Sequence, residues 1–157
     1  MADDPLTLAS QPTADSAYDV DFCAWAADQA KLLRAGQLAE ADIAHIAEEI
    51  EDLAKRDRRE LASRIQTVVE HLMKLAASPV MEPRAGWQAT INRERVAISR
   101  LLEDSPSLRV DLADVIARER ETARRLVAQD MLLRGEAPTA GLDGLVYGVD
   151  RVLGPAP

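Results

Sequence analysis

The sequence predicts an all-α protein, an antiparallel helical bundle of four to five helices with an irregular C-terminal tail. Three observations carry this expectation. From Gln37 to Ser78 the chain runs 42 residues without Gly or Pro, far longer than a strand could use. Apolar residues recur through that run at three- and four-residue steps, first as Ile43, Ile46, Ile50 and Leu53, then as Leu61, Ile65, Val68, Leu72 and Leu75, which is the period of a helix face. The composition is rich in Ala, Leu, Arg and Glu and holds only two Trp, two Tyr and one Phe, so it favours helix over sheet. At 157 residues the chain fits one domain, assigned to residues 16–157 behind a disordered tail over 1–15.

The elements follow in order. Ser16 and Asp19 have capping-box spacing, and Tyr18, Phe22, Trp25, Gln29 and Leu32 step along one side of a first helix that Gly36 stops. Asp42 is the N-cap of a second helix, with the Ile43–Leu53 stripe turned inward. A straight helix over 42–78 would span about 55 Å, more than the ~40 Å diameter of a compact domain this size. The register also slips across the charged run from Lys55 to Glu60. A bend or break near Asp57 is therefore expected, the alternative being a helix that overhangs and pairs with a second copy. Pro79 and Pro83 bracket a tight connection to a third helix over 84–102, with Trp87, Ile91, Ile98, Leu101 and Leu102 inward. Ser105 and Pro106 read as N-cap and N1 of a fourth, running to Arg134 with Leu108, Leu112, Val115, Ile116, Leu126 and Val127 inward and closed by Gly135. Beyond it, Gly and Pro predict an irregular tail with one turn near Val149–Leu153.

Net charge is −8, unevenly spread. Residues 1–54 hold 12 acids and 2 bases, and residues 55–134 hold 16 bases and 12 acids. An acidic first third and a basic middle are complementary, within one chain or between two. The acidic start does not resemble a secretory signal, no apolar run reaches the ~18 residues of a membrane span, and the single Cys23 suits a reducing compartment. A cytoplasmic location is the expectation.

Four blocks of residues occur in order. They are Tyr18-Asp19-Val20-Asp21-Phe22 with Trp25, Gln29, Leu32-Leu33 and Gly36; Ile46-Ala47-Glu48-Glu49-Ile50-Glu51; His71-Leu72-Met73-Lys74 with Pro79, Trp87, Thr90-Ile91 and Arg95; and Leu102 with Asp104-Ser105-Pro106-Ser107-Leu108. Over roughly residues 18–134 the chain resembles the bacterial family known as domain of unknown function 29. The resemblance implies a small, helical, cytosolic bacterial protein and brings no activity with it. The chain departs from the family pattern at Leu75, where an aromatic residue is expected, and at Ser78, where a glutamine is expected.

Two constellations could carry chemistry. His71 and Lys74 close one helix while Arg84 and Trp87 open the next, with Arg95 further along. Across a tight antiparallel connection these side chains form a candidate anion-binding set. His45, Glu48, Glu49 and Asp52 form an acidic strip, with His45, Glu48 and Asp52 nearly opposite the Ile43 stripe and Glu49 at its flank, and Glu48 and Glu49 are placed to pair with arginines of a neighbouring helix. A metal there is not expected, since the chain has no Glu-x-x-His and only two histidines. Cys23 reads as a small packing residue. The arginines at 56–64 and 118–125 are interleaved with acids, which disfavours nucleic-acid binding. No phosphate-cradling glycine loop or nucleophile elbow occurs.

The expected function is a non-enzymatic protein-interaction module, a homodimer or the partner of another protein, with no cofactor and no membrane. The alternatives are binding or hydrolysis of a small anionic ligand at the His71 set, or a weak association with nucleic acid.

Overall fold

The computed structural model describes residues 17–154. The tail expected over 1–15 and the capping role expected of Ser16 lie outside the described residues. These form an all-α architecture of four long helices and two short ones, and among the described residues there is no strand. In chain order they are α1 (Ala17–Val20), α2 (Phe22–Arg34), α3 (Ile43–Ala77), α4 (Arg84–Asp104), a 3₁₀ turn (Pro106–Arg109), α5 (Leu112–Arg134), a second 3₁₀ turn (Leu142–Gly144) and α6 (Val149–Leu153). Contacts gather the chain into two compact units, Met1–Asp52 and Leu53–Pro157, where the sequence reading assigned a single domain from residue 16.

In the first unit the caps are side chains that satisfy the orphan amides of a helix start. The Asp21 carboxylate accepts the Ala24 N–H of α2 at 3.0 Å, and the Asp42 carboxylate accepts the His45 N–H of α3 at 3.4 Å. Gly36 stops α2 in a left-handed conformation, φ 71°. Its N–H bonds the Leu33 carbonyl and the Gln37 N–H bonds that of Leu32, the reciprocal pair of a Schellman stop.

The inward face of α3 differs from expectation. Ile43, Ile50 and Leu53 are 51%, 62% and 55% exposed, while His45, expected outward, and Glu49, expected at the flank, are half-buried. The apolar repeat locates a stripe but not the neighbour that covers it. Here α1 and α2 present aromatic rings with polar tips, which pack on a histidine and a carboxylate as readily as on isoleucine. Among the described residues of this unit Trp25 is the one buried hydrophobic side chain.

Helix α3 runs unbroken for 35 residues, so the break expected near Asp57 is absent. Lys, Arg and Glu are good helix formers and none removes a backbone N–H, so a charged run offers no physical cause for an interruption. Asp57 instead accepts a hydrogen bond from the Ser105 hydroxyl at 3.2 Å.

The second unit is the antiparallel bundle. Leu61, Ile65, Val68, Val69, Leu72 and Met73 from α3 meet Ile91, Ile98 and Leu102 from α4, and Leu112, Ile116, Ala123, Val127 and Met131 from α5. The expected inward positions hold for Leu61, Ile65, Val68 and Leu72 on α3 and for Ile91, Ile98 and Leu102 on α4, with Leu75, Leu101, Leu108 and Val115 packed at the margin; Trp87, expected inward, is half-buried outside the core. Leu126, expected inward, is 42% exposed, because Ala123 and Val127 occupy the covered face. The fourth helix also starts later than expected. Ser105 and Pro106 open the 3₁₀ turn, and α5 begins at Leu112; the Ser105 hydroxyl is spent on Asp57 and caps nothing. Gly135 ends α5 with the same left-handed stop, φ 68°.

Beyond α5 the irregular tail is held by side chains bonding backbone carbonyls. On α4, Arg95 donates to Val152 at 3.0 Å and to Arg151 at 2.6 Å. On α5, Arg120 donates to Leu145 at 2.7 Å and also to Asp143. The expected turn near Val149–Leu153 is α6, with Val152 fully buried.

Candidate functional site

The densest cluster of rings and ionisable groups in the first unit lies where α1 and α2 meet the start of α3. The Tyr18 ring stacks on the His45 imidazole with centroids 4.2 Å apart and planes 21° from parallel. Trp25 packs edge-on against Tyr18 at 4.8 Å, and Phe22 lies 5.6 Å from Trp25. The His45 Nδ1–H donates to the Asp42 carboxylate at 2.7 Å, the Tyr18 hydroxyl donates to Glu49 at 2.5 Å, and Gln29 accepts the Asp42 N–H at 2.8 Å. Capping places the Asp42 carboxylate over the first turn of α3, where the imidazole three residues on can reach it. Phe22 and Trp25 are three residues apart on α2, and α1, set off by the non-helical Asp21, brings Tyr18 against both.

These contacts set the electrostatics. The hydrogen bond to Asp42 chiefly holds the His45 imidazole above its usual value, opposed by desolvation and helped by the charges of Asp42, Glu48 and Asp19. The Asp42 carboxyl is held below its usual value, mainly by the same bond. The bond to Glu49 chiefly pushes the Tyr18 phenol up to about 12. A phenol so raised is a weaker acid than a free tyrosine, which suits a structural donor more than an activated nucleophile. The cluster is therefore an electrostatic latch between α1, α2 and α3.

Its pH response follows from these directions. A raised His45 contributes stability that is complete below about 6.5 and is lost as pH rises through its folded value. A lowered Asp42 contributes stability present above about 3.9 and lost as pH falls through its own folded value. The first unit is expected to be most stable in mildly acidic solution. A proton NMR titration should place His45 above 6.5, and Asp42→Asn should bring it down; an unmoved value would remove the latch.

The acidic strip divides. His45 and Glu49 belong to the latch, with Glu49 taken by Tyr18 where an arginine was expected. Glu48 is exposed, and Asp52 has contacts of its own. The anion-binding set in the second unit is also dispersed among separate structural links. The His71 Nδ1–H donates to the Thr67 carbonyl at 2.8 Å. Lys74 pairs with Asp130 on α5 at 2.9 Å, and that bond chiefly holds the Asp130 carboxyl below its usual range. Arg84 donates to the Leu75 carbonyl at 2.6 Å, Trp87 is half-buried, and Arg95 is anchored at α6. Ser78, one of the two departures noted in the sequence, is buried and donates to Glu136 at 2.8 Å.

The partnership of Tyr18 and Trp25 with His45 was missed in the sequence. Its available signal was the Tyr18, Phe22, Trp25 spacing, followed by an aspartate cap with histidine three residues later. Among the described residues no group of three or more His, Cys, Asp or Glu is placed to hold a metal ion, and no helix is long and apolar enough to cross a membrane.

Residues 17–141 match the family described as "Domain of unknown function DUF29". No curated protein and no solved structure matches the chain.

Proposed function

Since the chain belongs to the DUF29 family, whose description names no activity, its role rests on its own residues, and we propose that it is a non-enzymatic interaction module that pairs with a second copy of itself. The observation supporting this is the uncovered apolar stripe at the start of α3. Ile43 and Ile50 stand one heptad apart and more than half exposed, with Ile46 between them and Leu53 next in the series. An a/d seam of this kind is completed by a like seam, and a second copy supplies one. Exposed apolar patches on soluble proteins mark such contacts.

Charge order along the helix favours an antiparallel copy. Glu48, Glu49, Glu51 and Asp52 precede Lys55, Arg56, Arg58 and Arg59. Antiparallel pairing sets Ile50 beside Leu53 of the second copy and brings the acidic turn of each near the basic turn of the other. A parallel copy would align like charges.

Light scattering after gel filtration tests the proposal. Wild type is expected to be dimeric, with dissociation promoted by salt because the flanking charges are screened. Ile43→Lys/Ile50→Lys should be monomeric with unchanged helicity, since neither side chain is buried. A monomeric wild type at high protein concentration, or a double variant that remains dimeric, would overturn it.

A further inference from the structure

The arginines of the second unit differ in what they meet, and Arg84 and Arg120, like Arg95, bond backbone carbonyls. Arg64, Arg93, Arg118, Arg124, Arg125 and Arg134 all have a carboxylate within 4.0 Å. Arg95, Arg100 and Arg109 have none among the described residues. Among the described residues Arg95 meets only backbone carbonyls, and no hydrogen bond or ion pair engages Arg100 or Arg109. All three line one open groove of about 760 Å³ between α4, the first 3₁₀ turn and α6, a volume within the usual range for small-molecule sites.

Three cations left together in an acidic chain repel one another unless an anion joins them. Desolvation first, then the charge of Arg151, pulls the Arg95 guanidinium below its usual value. Partial burial of a guanidinium is enough for that direction, and Arg151 adds to it. The groove is also shaped at Arg95. Gly154 adopts φ 79°, a left-handed conformation that favours glycine, and a Cβ there would lie 2.9 Å from the Arg95 guanidinium carbon, so the flexible arginine would have to yield.

The remaining lining has a second character. Asn92, Ser99, Glu103 and Asp150 offer hydrogen-bond donors and acceptors, and Val96, Leu102 and Leu153 offer apolar surface. Among the described residues Glu103 and Asp150 form no ion pair, so their carboxylates can accept hydrogen bonds from hydroxyls. Guanidinium groups match phosphate oxygens in fork geometry, carboxylates and amides match hydroxyls, and aliphatic side chains match the face of a ring.

We propose that this groove binds a small polyhydroxylated phosphate monoester, with Arg95, Arg100 and Arg109 on the phosphate and Glu103 and Asp150 on the hydroxyls. The site is separate from the pairing stripe on α3, so the two proposals stand or fall independently. Arg95 belonged to the anion-binding set expected from sequence; Arg100 and Arg109 take the place of His71 and Lys74.

Amide chemical-shift titration of the full chain tests this with glucose 6-phosphate, glucose and inorganic phosphate as probes. Glucose 6-phosphate is expected to cause saturable shifts confined to residues 92–109 and 150–154, weakening as salt rises. Glucose alone should cause none, and inorganic phosphate should bind about tenfold more weakly. Arg100→Ala/Arg109→Ala should weaken binding about tenfold or more while the thermal transition stays in place, because both side chains are exposed. Arg100→Lys/Arg109→Lys, which keeps the charge and loses the fork, should fall between. Absence of saturable shifts with glucose 6-phosphate would overturn the site. Binding unaffected by the alanine pair would overturn the assignment to these arginines. Inorganic phosphate binding as tightly as the ester would overturn the sugar component.

Discussion

Replacing Ile65 with alanine is expected to lower the unfolding free energy of the second unit by about 2–5 kcal/mol. Ile65 is fully buried on α3 within the cluster that joins α3, α4 and α5. Truncation removes three carbons' worth of transfer free energy and leaves a hole that rigid helices close only in part. The matched control is Ile50→Ala on the same helix. Ile50 is 62% exposed, so its truncation is expected to shift stability by about 0.5 kcal/mol or less in the monomer. Urea unfolding followed by circular dichroism compares the two at a protein concentration low enough to keep the chain monomeric. Equal losses would mean that the stripe at the start of α3 is covered in solution, and that its exposure is no basis for pairing between copies.

That contrast also marks how far the sequence could be read. Both α3 stripes have the same periodicity, and the sequence predicted helix for both correctly. The Leu61–Leu75 stripe lies beside two further helices with facing aliphatic residues, and it is buried. The Ile43 stripe has no such neighbour within its unit, because α1 and α2 bring aromatic rings that favour His45 and Glu49 on a different side of the helix. A one-dimensional pattern reports the period of a face, whereas coverage depends on which partner arrives. Caps were legible where the chemistry is local, as at Asp42, Gly36 and Gly135. Ser105 misled because its hydroxyl finds the Asp57 carboxylate, 48 residues away in sequence.

The candidate sites were legible only in fragments, for the same reason. His71, Lys74, Arg84 and Arg95 have residue types that suit an anion, yet Lys74 meets Asp130 and Arg84 meets a carbonyl. What sets the proposed arginines apart is that Arg95, Arg100 and Arg109 line one groove together, whereas Arg84 does not. Arg100 and Arg109 acquire that distinction from the placement of α6 and the 3₁₀ turn, elements whose positions no local pattern encodes. The latch at His45 is a similar case, with its cap legible and its aromatic partners not.

Trp25→Ala is expected to remove the packing of the first unit at a cost of about 3–5 kcal/mol, the range for deleting a buried large aromatic side chain. Trp25 is 6% exposed and touches Tyr18, Phe22 and His45 edge-on or tilted. With Val20, Phe22, Leu33 and Leu38 exposed, Trp25 is the one buried hydrophobic side chain among the described residues of the unit that can hold α2. Hydrogen exchange should therefore accelerate across residues 22–34 in the variant, while amides of α4 and α5 keep their protection. Trp25→Phe provides the finer test. Among the described residues the buried indole N–H has no acceptor in bonding geometry, and its influence on the Asp42 carboxyl is smaller than that of His45. Phenylalanine removes that unpaired donor, whose burial costs about 1–3 kcal/mol, and keeps most of the ring contact. Its exchange rates should stay close to wild type. If Trp25→Ala leaves residues 22–34 protected, the aromatic cluster does not hold the unit. If Trp25→Phe is as damaging as alanine, the indole N–H has an acceptor, and a polar contact rather than ring packing dominates.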